Sequence, residues 1–362
     1  MERILHIVES LEGGILTYLS GLVNCTCNQY EVTVAYSTRP TTPTDFQSLF
    51  DSRVRFIKVV NFTRDINFVK DAKAFFEIRR IVRDTAPDIV HLHSSKAGFL
   101  GRMAINGKRI KLFYTPNGYS FLMQNCSIVK LQCYKAMEAI AGQRKCLTIA
   151  SSKSEYEESK KVTKWSTCIN NGIDIDILQS LLDKNRSMPE FLVNNGVERP
   201  LRIFTVGRIC EQKNPYLFNR IAMQFPNTPF YWIGDGDLKE KLTSPNITVT
   251  GWLDREQVVA YADNMDVFLL TSLWEGLPLA LLEAMYMKKL CVVSNAVGNR
   301  DVIKNGYNGH VCDDEGSFIK AMQFILENGI DAKLIQRAHD DILKEYNTRV
   351  MAGSYINKYR KS

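Results

Sequence analysis

The sequence predicts an α/β protein of two doubly wound, parallel-sheet domains that face a central cleft. Its 362 residues exceed the roughly 100–200 of one ordinary domain. Short β-rich runs alternate with helical patterns from end to end, and such alternation implies parallel sheets covered on both faces. The alternation lapses once, in the polar stretch Asp183–Pro200 with its two prolines and three asparagines, and then restarts. Residues 1–182 and 201–347 are therefore read as the domains and 183–200 as the linker. The helical tail 348–362 is read as a segment that packs back on the first domain.

The first half offers strands at Ile4–Val8, Val32–Tyr36, Val54–Val60, Ile89–His93, Leu112–Thr115 and Leu147–Ala150, with helices at Phe68–Arg83 and Ile128–Ala141. Pro87 closes the helix before the fourth strand and Pro116 ends the fifth. The second half offers buried strands at Arg202–Val206, Phe230–Ile233, Ile247–Thr250, Val267–Thr271 and Cys291–Ser294. Its helices fall at Pro215–Gln224, Arg255–Ala262, Leu279–Lys288 and Ser317–Glu327. Ala332–Tyr346 and Met351–Lys361 read as helical with no strand to follow.

Composition narrows the class. Hydrophobic residues at 45% and charged residues at 23% exclude disordered, collagen-like and coiled-coil chains. No apolar run approaches the ~20 residues of a membrane span. The first residues, interrupted by Glu9 and Glu12, do not read as a signal peptide, so a cytoplasmic protein is expected. Nine scattered cysteines, without metal-ligand spacing, read as reduced thiols. Residues 1–180 hold 24 Lys+Arg against 17 Asp+Glu, whereas 181–362 hold 22 of each, so the whole excess of +7 lies in the first half. A basic face of this kind meets an anionic membrane, a phosphorylated substrate or nucleic acid, or is merely solvated.

The chemically distinctive residues fall at strand ends, where doubly wound sheets bind ligands. Gly13–Gly14 follows the first strand and lets backbone N–H groups approach an anion at a helix start. A dinucleotide dehydrogenase would need G-x-G-x-x-G there, and Gly234-Asp235-Gly236-Asp237 lacks a third glycine and adds two carboxylates. Arg208, freed by Gly207, and Lys213 are two cations on one loop, suited to the charge that develops on a leaving diphosphate. Glu275 and Gly276 occupy the loop after the strand ending at Thr271, and Pro278 suits a first helical turn. Glu283 lies about five residues further, roughly 7 Å along the helix axis. That offset suits one extended ligand, with its phosphates at the helix start, a sugar at Glu275 and a ribose at Glu283. The apolar neighbours Leu281, Leu282, Ala284 and Met285 imply a buried carboxylate that needs partners.

Glu275-x7-Glu283 with Gly276 and Pro278, Val206-Gly207-Arg208…Gln212-Lys213, and Asn171-Gly172-Ile173-Asp174 together resemble the retaining nucleotide-sugar glycosyltransferases of family four. Asp88–His93, Gly234–Gly236, Thr250–Trp252 and Gly298–Asp301 extend the resemblance over nearly the whole chain. It implies the GT-B fold of two Rossmann-like domains, the first for the acceptor and the second for the nucleotide-sugar. It also implies that Gly13 and Gly14 face the diphosphate and that Arg208 and Lys213 hold it. Glu275, with Gly276 and Leu277, would bind the donor sugar, Glu283 the ribose, and backbone near Gly251 and Leu253 the base. No cofactor, divalent metal or nucleic-acid partner is implied, and Asp235 and Asp237 are discounted as metal ligands.

The chain departs from the family at Thr115-Pro116-Asn117-Gly118-Tyr119, where many relatives carry His-Gly. Asn117 is either a working part of the site or a turn residue. His93, the nearest other imidazole, is either on the acceptor side or a core histidine bonded to backbone. The expected reaction moves a sugar from a UDP-sugar to a hydroxyl acceptor with retention, and the basic half suits a lipid-diphosphate acceptor at the inner face of a membrane. Bacterial surface polysaccharide synthesis is the expected setting. An inactive binding protein on the same fold, or a sugar phosphorylase or epimerase, is the alternative.

Overall fold

The computed structural model describes residues 1–63, 66–124, 126–186 and 199–361. They form two compact units, 1–173 with 348–362, and 174–347.

The first unit carries seven strands: β1 (Glu2–Val8), β2 (Tyr30–Tyr36), β3 (Arg55–Lys58), β4 (Ile89–His93), β5 (Lys111–Thr115), β6 (Leu147–Ala150) and β7 (Ser166–Cys168). All pair in parallel, in the order β3-β2-β1-β4-β5-β6-β7. The order reverses between β1 and β4, which places the topological switch point there. Its helices are α1 (Gly13–Thr26), α2 (Phe68–Thr85), α3 (Ser95–Ala104), α4 (Ile128–Gly142) and α5 (Lys153–Lys160). Leu5, Ile7, Val90, Leu92 and Tyr114 on one sheet face pack with Ala74, Ile78 and Ile81 of α2 and Ala97 and Leu100 of α3.

The second unit opens with α6 (Ile175–Arg186). Then come β8 (Ile203–Val206), α7 (Pro215–Gln224), β9 (Phe230–Ile233), β10 (Ile247–Val249), α8 (Arg255–Asp263), β11 (Val267–Leu270) and α9 (Leu279–Tyr286). It continues with β12 (Leu290–Ser294), α10 (Asn299–Val302), β13 (His310–Cys312), α11 (Glu315–Asn328) and α12 (Ala332–Lys344). Six parallel strands in the order β10-β9-β8-β11-β12-β13 repeat the reversal, here between β8 and β11. Trp232, Phe218, Ile221, Val267 and Leu269 anchor its core, all at 1% exposure or less.

The last helix, α13 (Thr348–Lys361), counts with the first unit and lies against α1. Tyr355 and Tyr359 point from it into that unit's core, both fully buried.

The boundary differs from the sequence reading. The first unit ends at 173 rather than 182, because α6 packs on α8 and Gln179 accepts a 2.8 Å hydrogen bond from Tyr286. Residues 183–186 of the expected linker continue α6, and 187–198 lie outside the described residues. Among the elements not anticipated, β7 and β13 have three residues each, too few to set up an alternation.

Candidate functional site

The second unit places Gly207, Arg208, Lys213, Gly234, Gly251 and Glu275 in the loops that follow its strands. Gly207 and Arg208 follow β8, and the loop is fixed on both sides. Gly207 N–H donates to Ile233 O at 3.0 Å and Ile209 N–H to Asp235 O at 2.8 Å. Gly234, at φ +141°, must lack a side chain, since a Cβ there would lie 2.3 Å from Gly207 O. Gly251 follows β10 and bridges to Gly234, with Leu253 half-buried two residues on.

The loop after β11 meets the loop after β8. Leu273 N–H donates to Gln212 O at 2.8 Å, and Thr271 Oγ1 donates to Lys213 O at 2.9 Å. These bonds present Lys213 to Glu275, Nζ to Oε1 at 2.7 Å. The same carboxylate accepts from Ser272 Oγ at 2.7 Å and Gln212 Nε2 at 3.2 Å. Glu275 is only 6% exposed, so a buried charge has been given three donors, as its desolvation requires. A Cβ on Gly298 would stand 2.4 Å from Gly276 O, so the loop after β12 closes on this one from the other side. Leu277 is buried beneath it. Arg208 is half-buried and has no hydrogen-bond or ion-pair partner among the described residues, which leaves its guanidinium available to an anion.

Glu283 lies one turn inside α9 and is 7% exposed. Arg255, the first residue of α8, grips it with both nitrogens, Nη2 to Oε1 at 2.6 Å and Nη1 to Oε2 at 2.9 Å. The apolar setting of Glu283 implies a partner, and Arg255 is that partner, although the sequence does not point to it by position. The only signal was a cation opening the helix that follows Gly251-Trp252-Leu253.

The first unit places its own candidates at strand ends. Gly13, at φ +50°, opens α1, and a Cβ there would meet nothing within 4 Å, so the backbone of Gly13 and Gly14 stands open to approach. Asn117 follows β5 in the left-handed region at φ +54°. Its amide Nδ2 is buried with no hydrogen-bond partner among the described residues.

His93 belongs to the core. It is 0% exposed, as are His6 and His91, and its Nε2 lies 3.0 Å from His6 Nδ1. His91 bonds Tyr359 at 2.7 Å and Thr115 at 2.8 Å, and Tyr355 bonds both Thr115 and Tyr18. Burial holds the His6 imidazole down at about 3 and both other rings well below the usual histidine value. These rings are neutral at physiological pH. Of the two readings of His93, the geometry favours the core histidine, with a ring and not backbone as its partner.

The comparisons with known proteins fit this arrangement. Residues 12–177 match the model described as Glycosyltransferase Family 4, and 200–328 match Glycosyl transferases group 1. An Escherichia coli UDP-Gal:alpha-D-GlcNAc-diphosphoundecaprenol alpha-1,3-galactosyltransferase is 31% identical over 82% of this chain and 81% of its own. A Campylobacter jejuni alpha-1,4-N-acetyl-D-galactosaminyltransferase acting on a diphosphoundecaprenol-linked sugar is 24% identical over 91% of this chain and 90% of its own. Anabaena HepE, solved with UDP and glucose, superposes with a TM-score of 0.77 at 15% identity, covering 100% of both chains. A Thermosynechococcus elongatus sucrose-phosphate synthase superposes at 0.81 with 16% identity, over 99% of both. Two Rossmann-like units of the GT-B class, matched in both halves by these models, make this chain a member of the family-four glycosyltransferases.

Proposed function

We propose that this glycosyltransferase moves a sugar from a nucleoside-diphosphate-sugar, a UDP-sugar first among them, to a hydroxyl of a lipid-diphosphate-linked sugar, with retention of configuration. The observation that carries the reading is the pairing of Lys213 with Glu275 where the strand order reverses, on the loop of Arg208, which has no partner among the described residues. Arg208 and Lys213 supply the positive charge that a departing diphosphate needs, so no divalent ion or other cofactor is required. Glu275 accepts from the donor sugar's hydroxyls, Glu283 from the ribose, and backbone at Gly251 and Leu253 meets the base. The leaving diphosphate oxygen takes the acceptor proton on the face it departs from, which preserves the anomeric configuration without a protein base. Asn117 serves as a sugar contact, and the open backbone of Gly13 and Gly14 meets the diphosphate.

The E. coli and C. jejuni relatives act on diphosphoundecaprenol-linked sugars, and HepE was solved with UDP. This supports a role in bacterial polysaccharide or lipid-linked sugar assembly. The first unit offers a surface for the membrane that such an acceptor occupies. Phe68 is 86% exposed and Val69 66% at the start of α2, beside exposed Lys70 and Lys73. Ile128 at 77% and Val129 at 74% begin α4, beside exposed Lys130. Apolar tips among cations suit an anionic bilayer. Among the described residues no helix is long and apolar enough to cross one.

The test is calorimetry with UDP, GDP and ADP, followed by transfer from the corresponding sugars and NMR of the product's anomeric proton. Tightest binding of UDP and a retained anomer are expected. Inversion refutes the proposed stereochemistry, and binding of none of the three refutes the donor class.

A further inference from the structure

Three hydrogen-bond donors converge on one carboxylate behind Asn117. Glu155, in the first turn of α5, is fully buried. Its Oε1 accepts the Gly118 N–H at 2.6 Å, and its Oε2 accepts the Ser151 N–H at 2.6 Å and Ser151 Oγ at 2.8 Å. No ion pair neutralises it among the described residues, which is unusual for a charge withdrawn from water. The chain therefore sustains an isolated buried carboxylate to tie the loop after β5 to the loop after β6. The helix behind it makes a second tie. Ser159 Oγ donates to Glu155 O at 2.9 Å and bonds Tyr119 Oη at 3.0 Å. Residues 118 and 119 are thus held in succession from one short helix.

What these bonds restrain is a left-handed Asn117 whose amide Nδ2 is buried and has no hydrogen-bond partner among the described residues. Asparagine tolerates such a backbone better than most residues, and the bonds to residues 118 and 119 fix the chain that leaves it. We infer that Glu155 is a positioning residue of the transfer reaction: it holds the Gly118 N–H so that the Asn117 amide keeps the conformation in which it contacts a sugar. This rests on the reading of Asn117 as a sugar contact.

Glu155→Gln is isosteric and keeps one acceptor oxygen, but its amide cannot also accept from the Ser151 N–H. Turnover of the best UDP-sugar should fall roughly ten- to a hundredfold, as for a misplaced catalytic contact, with donor KM within about twofold. Because Glu155 acts through Asn117, the double variant Asn117→Ala/Glu155→Gln should turn over no more slowly than Asn117→Ala alone. Losses that multiply, or an unchanged kcat in Glu155→Gln when Asn117→Ala is slow, overturn the positioning role. A wild-type Asn117→Ala overturns the reading on which it rests.

The unmodified protein gives a check that needs no variant and no substrate. Burial raises the Glu155 pKa above the usual carboxylate value, against the pull of its bonds to Ser151 and Gly118 and with the Glu138 charge adding to the rise. The Gly118 amide proton, in a 2.6 Å bond to the carboxylate, should lie far downfield and move upfield as the carboxyl protonates, at a pH above the usual carboxylate range. An amide resonance at an ordinary position that ignores pH means that the bond is absent, and the inference falls.

Discussion

Arg255 closes on Glu283 with two nitrogens on two oxygens, at 2.6 and 2.9 Å. The pairing is bidentate, the strong geometry for guanidinium and carboxylate. It gives Glu283 a cation partner inside a largely apolar helix and leaves its outer lone pairs free to accept from two neighbouring hydroxyls.

The first prediction tests that relationship. A hydrogen bond to a charged group contributes ~1.5–3 kcal/mol, or roughly ten- to a hundredfold in affinity. Glu283→Ala should weaken UDP binding by that factor in calorimetry on folded protein. Arg255→Ala should weaken it as well, because the carboxylate loses the partner that orients it. Unchanged UDP affinity in Glu283→Ala would remove this residue from the site.

The second concerns the diphosphate. Lys213→Ala should lower kcat by roughly 10²–10³-fold, the scale on which a transition-state charge contact operates, with a smaller rise in donor KM. Chelation with EDTA should leave wild-type turnover unchanged. Turnover abolished by EDTA and restored by Mg²⁺ or Mn²⁺ would refute the assignment of the charge to Arg208 and Lys213.

The third concerns the membrane. The protein should co-sediment with vesicles containing phosphatidylglycerol and not with neutral phosphatidylcholine vesicles. Binding should fall with salt, since exposed charges are screened beyond ~8–10 Å. Phe68→Asp should weaken it at constant salt, because the exposed ring at the start of α2 would no longer enter the interface. Equal binding to both vesicles, or to neither, counts against the surface.

How far the sequence was legible depends on how local the determining contacts are. The places of Gly207 and Glu275 after their strands, and of Glu283 one turn inside α9, were readable because strand, loop and helix are contiguous and their spacing sets the placement. The partners of Glu283 and His91 were not. Arg255 lies 28 residues from Glu283, and Tyr359 lies 268 residues from His91. Only the folded topology brings them together. The boundary at 173 was hidden for a similar reason, since α6 continues through 182 and declares its unit only by packing on α8. Glu155 was invisible because a carboxylate in a first helical turn ordinarily reads as a solvated complement to the helix dipole.

The fourth prediction follows from the three buried imidazoles. Their folded pKa values lie below 6.5, that of His6 at about 3. As pH falls below 6.5 the unfolded chain takes up protons that the folded one refuses. Stability contributed by these rings is full above that value and drains as pH falls, by roughly 1.4 kcal/mol per pH unit for each ring. The thermal midpoint should drop between pH 7 and 5, and His6→Phe should flatten the decline. An equally steep decline in His6→Phe would place its origin in other groups.

The fifth prediction is that Asn117 works in the reaction although histidine is usual there. Its amide can donate to one sugar hydroxyl while its oxygen accepts from another, as a neutral imidazole can, and Nδ2 has no competing partner among the described residues. Asn117→Ala should lower kcat more than it raises donor KM, if the bond strengthens as the sugar leaves the diphosphate. An amide does not titrate, whereas an ordinary imidazole does near pH 6.5. Asn117→His should therefore add to the pH–rate profile an acid limb near that value which the wild type lacks. Histidine must also take up the left-handed backbone at φ +54°, a region where it is enriched several-fold, as asparagine is. Wild-type kinetics in Asn117→Ala would leave the side chain as a turn residue only, favoured at that φ for conformational reasons.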